Sequence, residues 1–302
     1  MIKIVILGTA AGGGLPQWNC GCANCTDART GQPELRATQA SIAVSADNQN
    51  WFLINAAPEL RQQIIDNPVL HPKPGSLRHS PVAGVILTNG EVDAVTGLLS
   101  LREGSPFGLY AHERVLGILR ANSIFNVLNP AKVSRIAIEP DTAFEPVLPD
   151  GTPSGLKVTP FIAPGKTALF LEDTEDEGPG DTLGLKITDT ADGRSFVFLA
   201  ACASVTPAVA EYLTGASLVF FDGTLWQDDE LIALGLGAKT GQRMGHMAMQ
   251  AVIPALAGLA IERKVFLHIN NSNPALRAGS PERQQAEAAG WQIPADGTEL
   301  TL

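Results

Sequence analysis

Nine short apolar runs constrain this chain more than any other feature: residues 2–7, 41–45, 51–54, 85–87, 156–161, 183–187, 196–199, 218–221 and 265–268. Each has the length of a strand and falls far short of the ~20 apolar residues a membrane-crossing helix needs. Helical spacing fills many of the gaps, at 58–66, 92–103, 114–121, 207–213, 228–234, 246–257 and 281–289. Pro58 stands early in the first of these, where helices tolerate it. Two groups of strands flanked by helices predict a layered α/β sandwich. The chain is read as one domain, 1–302, without a fixed-period repeat. The acidic stretch 172–181, "EDTEDEGPGD", predicts a solvated surface loop.

The totals narrow the functional classes. With 302 residues, 45% of them hydrophobic, the chain can bury an ample core. A net charge of −10 argues against general nucleic-acid binding, which needs clustered Lys and Arg. The opening "MIKIVILGTAAGGG" has too brief an apolar run for a signal-peptide core and reads as a buried strand. The expectation is a soluble, cytoplasmic protein with no membrane insertion. Whether it forms a homodimer stays open.

Three of the four cysteines are crowded as Cys20, Cys22 and Cys25 in "LPQWNCGCANC". Three thiolates so close can wrap one tetrahedral zinc, with a fourth ligand from elsewhere. The alternative is three reduced cysteines in a loop. The preceding "GTAAGGG" lacks both the dinucleotide and the P-loop spacings, so a tight backbone crossing near a site is the better reading.

Polar groups also emerge where apolar strands stop. "LVFFDGTL" ends on Asp222, and "KVFLHINNSNP" ends on His268, followed by Asn270, Asn271 and Asn273. "GVILTNGEVDAVTGLLSLRE" presents a strand, a short loop and a helix with Asp93 in its first turn. "TGQRMGHMAMQ" puts His246 at the start of a helix, after Lys239 and Arg243. Each residue also has a plain structural reading: Asp222 as a turn or cap aspartate, His268 as a core histidine, His246 as a helix N-terminal residue. As a site, Asp93, Asp222 and His268 make an oxygen-rich ligand set that suits iron(II) or manganese at least as well as zinc. No Gly-x-Ser-x-Gly elbow supports a nucleophilic triad. His71, His79 and His112 are given no chemistry.

Long motifs in order, "ILGTAAGGGLPQWNCGCANC", "RATQASIAVS", "LINAAPELRQQI", "FDGTLWQDDE", "GAKTGQRMGHMAMQ" and "HINNSNP", make the chain resemble, end to end, the pyrroloquinoline quinone biosynthesis protein B family of the metallo-β-lactamase superfamily. The resemblance implies a four-layer αββα sandwich. The superfamily's metal loop, Thr-His-x-His-x-Asp-His, lies over "TNGEVDA". Its histidines fall on Asn89, Glu91 and Ala94, and its aspartate on Asp93. The family is similar in lacking the first two histidines but normally keeps the last, so Ala94 is a departure that removes an implied ligand.

The implied activity is iron-dependent hydroxylation of the tyrosine ring in a peptide-derived, cross-linked Glu-Tyr precursor. The implied alternative is a carrier for the cofactor or its precursor toward the periplasm. Other proteins of the pathway are implied partners. Related phosphodiesterases place a fourth zinc ligand three residues beyond the last metal histidine, here Asn271. His246 resembles a proton donor of related nucleases. Lys239, Arg243, Asn270 and Asn273 are the expected substrate contacts, the two cations pairing with carboxylates.

Overall fold

A computed structural model of the protein describes residues 1–172 and 178–302. Thirteen strands form two sheets among the described residues. They are β1 (Lys3–Gly8), β2 (Ser41–Ser45), β3 (Trp51–Ile54), β4 (Val82–Ile86), β5 (Phe107–Ala111), β6 (Val133–Ala137), β7 (Leu156–Ile162), β8 (Leu183–Asp189), β9 (Ser195–Leu199), β10 (Leu218–Asp222), β11 (Arg263–Leu267), β12 (Trp291–Gln292) and β13 (Glu299–Thr301). The first sheet runs β13-β1-β2-β3-β4-β5-β6 and the second β12-β11-β10-β9-β8-β7. The helices are α1 (Ala23–Thr30), α2 (Leu60–Asp66), α3 (Val92–Val95), α4 (Glu113–Ala121), α5 (Pro207–Leu213), α6 (Glu230–Ala233), α7 (Met249–Ala255) and α8 (Pro281–Ala288).

The continuity of the apolar runs has a direct cause. In β1, Ile4 and Ile6 enter the core between the sheets, while Val5 and Leu7 join the cluster that packs on α4. In β10, Phe220 points inward, and Val219 and Phe221 join the cluster containing residues of α5, α7 and α8. Both faces of each sheet are covered, so these strands need apolar residues at every position. Burial of a side chain such as Phe220, which is fully inaccessible, contributes roughly 1.5–3 kcal/mol. The result is an αββα sandwich.

Strands β3 to β6 are parallel to one another, as are β9 to β12. Their carboxyl ends deliver Asn89–Asp93, Asp222 and His268 to the site. The glycine-rich loop after β1 joins the two sheets, because Ala10 bridges both Gln39 and Ile269.

Several elements differ from expectation. β5 and β6 were not legible: Gly108 interrupts one, and the other is a half-exposed edge strand, "VSRIA". The helix expected at 92–103 is one α-turn, α3, followed by a 3₁₀ stretch over Thr96–Leu101. There Gly97 donates its N–H to Ala56 O at 2.8 Å, and a Cβ on it would meet Ala57 O at 2.1 Å. Docking onto the segment after β3 displaces regular helix. The helix expected from His246 starts at Met249. Gly245, at φ +86°, ends a short 3₁₀ turn, so His246 lies in the connection between them. Of the acidic loop, 173–177 lie outside the described residues. Its ends are not simply solvated: Asp181 is buried and accepts from Arg114 at 2.6 and 3.1 Å.

Candidate metal centres and the adjoining cavity

The end of β10 buries Asp222 completely and sends it toward two imidazoles. Asp222 Oδ2 lies 2.7 Å from His246 Nδ1 and accepts the N–H of Cys202 at 3.0 Å. Asp222 Oδ1 accepts from the Thr224 hydroxyl at 2.7 Å. Thr224 Oγ1 also lies 2.9 Å from His268 Nδ1 and 3.1 Å from His246 Nδ1. The two rings are 5.2 Å apart. Asp222, His246 and His268 bring one donor atom each to within 4.8 Å of one another. His268 sits just past β11 at φ +58°, an uncommon conformation for a residue with a side chain.

Asp93 approaches from α3, its Oδ2 being 2.9 Å from His268 Nε2. Burial pushes the Asp93 carboxyl up, but the hydrogen bond and charge of His268 outweigh it and the carboxyl ends below its ordinary value. Burial pulls the His268 imidazole down, and Asp93, Asp222 and Glu91 together bring it above its ordinary value. A separation of 2.9 Å also suits two neighbouring donors that share one cation, each at roughly 2.1 Å. The donors therefore fit a divalent metal. Thr224 against Nδ1 fixes the His268 ring, as outer partners of metal-binding histidines do.

Asp93, Thr224, His246 and His268 line a cavity of about 370 Å³ with Ala11, Gly12, Leu169, Leu231, Met244 and Asn270, and Asp222 lies buried behind the two imidazoles. Its rim is charged. Lys166 Nζ lies 3.1 Å from Glu91 and 2.7 Å from Glu172, and Glu172 also pairs with Lys239. The hydrogen bonds of Lys166 and then Lys239 hold the Glu172 carboxyl down at about 2. Glu91 takes no part in the imidazole cluster. Its oxygens accept the N–H of Leu169 at 3.1 and 3.2 Å. Lys239 and Asn270 thus face the cavity. Arg243 does not: it is exposed on the 3₁₀ turn Gln242–Met244 and is absent from the cavity wall. Asn273 does not either. It is fully buried, with Nδ2 donating to Gly223 O at 3.0 Å and Oδ1 accepting from Ala275 N at 2.9 Å. It braces the strand ends. Ala94 packs in the apolar cluster of the helix side and is also absent from the wall.

The second centre forms where Cys22 caps α1. Cys20, Cys22 and Cys25 converge, and the Asn271 amide nitrogen stands 3.1, 3.5 and 3.2 Å from their sulfurs. Backbone N–H groups of Cys22 and Gln17 point at Cys20 and Cys25. Burial raises the Cys20 thiol, but the surrounding hydrogen bonds leave it lowered on balance, whereas burial pushes Cys25 up to about 11. N–H donors aimed at sulfur suit thiolates, and three thiolates fit a tetrahedral zinc. Asn271 covers the remaining corner, and exchange of its amide ends would turn Oδ1 toward the sulfurs.

Lys166, Glu172 and Thr224 carry parts of the site that the sequence reading gave no role. Only Thr224 had a local signal, following a strand-end aspartate in "DGT". Lys166 meets Glu91 across 75 positions.

An αββα sandwich with acidic and imidazole groups at its strand ends defines a metallo-β-lactamase-type domain, and residues 50–269 match the family described as Beta-lactamase superfamily domain. Coenzyme PQQ synthesis protein B of Bradyrhizobium diazoefficiens is 62% identical over 309 residues, covering 100% of both chains. The chain belongs to the coenzyme PQQ synthesis protein B family. The crystal structure of Zn²⁺-bound PqqB from Methylobacterium extorquens, 46% identical, superposes with a TM-score of 0.93 and covers 99% of this chain and 100% of that one. A diphosphatase of the PhnP family, at 20% identity and a TM-score of 0.69 over 99% of this chain and 96% of its own, shares the fold. Among the described residues, no helix is long and apolar enough to cross a membrane.

Proposed function

We propose that the protein acts in pyrroloquinoline quinone synthesis as a non-haem iron-dependent oxygenase, hydroxylating the tyrosine ring of a peptide-derived Glu-Tyr precursor. The observation that carries this reading is the donor set: two imidazoles on the cavity wall, the buried Asp222 carboxylate against them, and Asp93 alongside. Such a set suits Fe(II) and leaves coordination positions free. Iron bound there would supply dioxygen activation. Asp222, His246 and His268 would hold it, joined by Asp93 once the proton between Asp93 and His268 has left. The apolar wall of Leu169, Leu231 and Met244 accepts a ring and excludes water. Lys239 and Asn270 meet the polar groups of the ligand. A zinc at Cys20, Cys22 and Cys25, with Asn271 as fourth partner, would be structural.

The test is to load the protein with Fe(II) without oxygen, then admit dioxygen and reductant with a Glu-Tyr-containing precursor. Stoichiometric iron, dioxygen uptake and ring hydroxylation are expected together. Iron binding without turnover would favour the carrier reading, to which the missing loop histidines and the buried Ala94 lend support.

A further inference from the structure

The loop that holds metal-binding histidines in related hydrolases has a different duty here. Glu91 stands at the second histidine position, yet it is tied to Lys166 and to the backbone of Leu169. It fixes Lys166 at the cavity wall, where the lysine side chain is only 15% exposed. Glu172 is held differently. Its carboxylate touches Lys166 and Lys239 and accepts no backbone N–H among the described residues. Of the two carboxylates on Lys166, one is anchored from two sides and the other, among the described residues, rests on the two lysines. The rest of the wall is largely apolar, with Leu169, Leu231 and Met244.

We propose that Lys166 and Lys239 form a carboxylate-binding subsite which Glu172 fills until a ligand carboxylate replaces it. The ligand class is a small acid with an apolar or aromatic body. This deepens the functional reading above and rests on it for the precursor's identity. Exchange of one carboxylate for another keeps the charge of the subsite constant, so neither lysine is left unpaired when the ligand leaves. Glu91 stays in place throughout and keeps Lys166 aimed inward.

Binding needs no metal turnover, so the subsite can be tested apart from oxygenase activity. The probes are the N-acetylated dipeptide Glu-Tyr and the uncharged analogue N-acetyl-Gln-Tyr amide, titrated calorimetrically into the protein as purified. Lys166→Met should weaken Glu-Tyr binding roughly tenfold or more and leave the neutral analogue unchanged, since a charge-assisted hydrogen bond is lost. Lys166→Arg should keep most of the affinity. Glu172→Gln removes the internal competitor and should tighten Glu-Tyr several-fold. Equal Glu-Tyr affinity in wild type and a folded Lys166→Met overturns the proposal. So does weaker binding in Glu172→Gln, or no binding to wild type and Glu172→Gln alike. Failure of hydroxylation with the binding pattern intact would instead fall on the oxygenase reading alone.

Discussion

His268 and Asp93 satisfy each other across 2.9 Å, and the pair sets how the site responds to pH. The His268 value lies above its ordinary 6.5 in the folded chain. A group raised on folding stabilises the fold below its unfolded value, and that contribution is lost as pH rises through the folded one. Metal needs the deprotonated imidazole, so it must displace that proton. Affinity of the Asp-His centre for Fe(II) or Mn(II) should therefore climb with pH and level off only above the raised His268 value. Competition with a chelator at several pH values measures this, and a flat profile would mean His268 is not a ligand. Ala94 offers a second residue-level test. It is buried among apolar neighbours, so Ala94→His overfills the cluster and should cost about 1–3 kcal/mol without metal. If the new imidazole reaches the Asp93–His268 pair, Fe(II) should restore part of the loss in thermal unfolding. No metal-dependent recovery would leave position 94 a packing position.

At the level of elements, α3 is short because Gly97 lies against the segment after β3. Gly97→Ala should destabilise the protein by about 1–3 kcal/mol, because a Cβ there meets backbone that cannot swing aside. Urea unfolding would show it as a lower midpoint with unchanged slope, and metal affinity should fall with it, since Asp93 rides on α3. An unchanged midpoint would show that the contact yields. The same contact explains a limit of sequence reading. The apolar face of residues 92–103 was legible, but the backbone docking that converts it to 3₁₀ leaves only a glycine as its sign. Strands such as β2 and β3 were readable to the residue because burial on both faces writes an unbroken apolar run. Edge strands β6, β12 and β13 carry no such run, and their pairing comes from tertiary neighbours. His246 was legible as a candidate site residue, but its element was not: it lies in the connection 245–248 between the 3₁₀ turn and α7, marked in the sequence only by Gly245.

Across the whole molecule, the two sheets bring together groups that sequence order keeps apart. Motif and strand-end chemistry pointed to Asp93, Asp222, His246 and His268. The Lys166–Glu91 and Arg114–Asp181 pairs gave no sign, because ion pairs between distant positions have no local pattern. The segment from His268 to Asn271 belongs to both centres, with one end on Asp93 and Thr224 and the other over the three cysteine sulfurs. Cys22→Ser should lose tightly held zinc and lower stability, since structural zinc couples to folding. It should also weaken iron binding, though Cys22 is no part of the cavity wall. Metal analysis and Fe(II) titration of the variant check both effects, and full-strength iron binding by zinc-free protein would make the centres independent. If the Cys22→Ser prediction holds, the two seats share one stretch of chain and the supply of one metal would ration the use of the other. In a zinc-starved cell, newly made copies would stay poor in iron however much iron was offered.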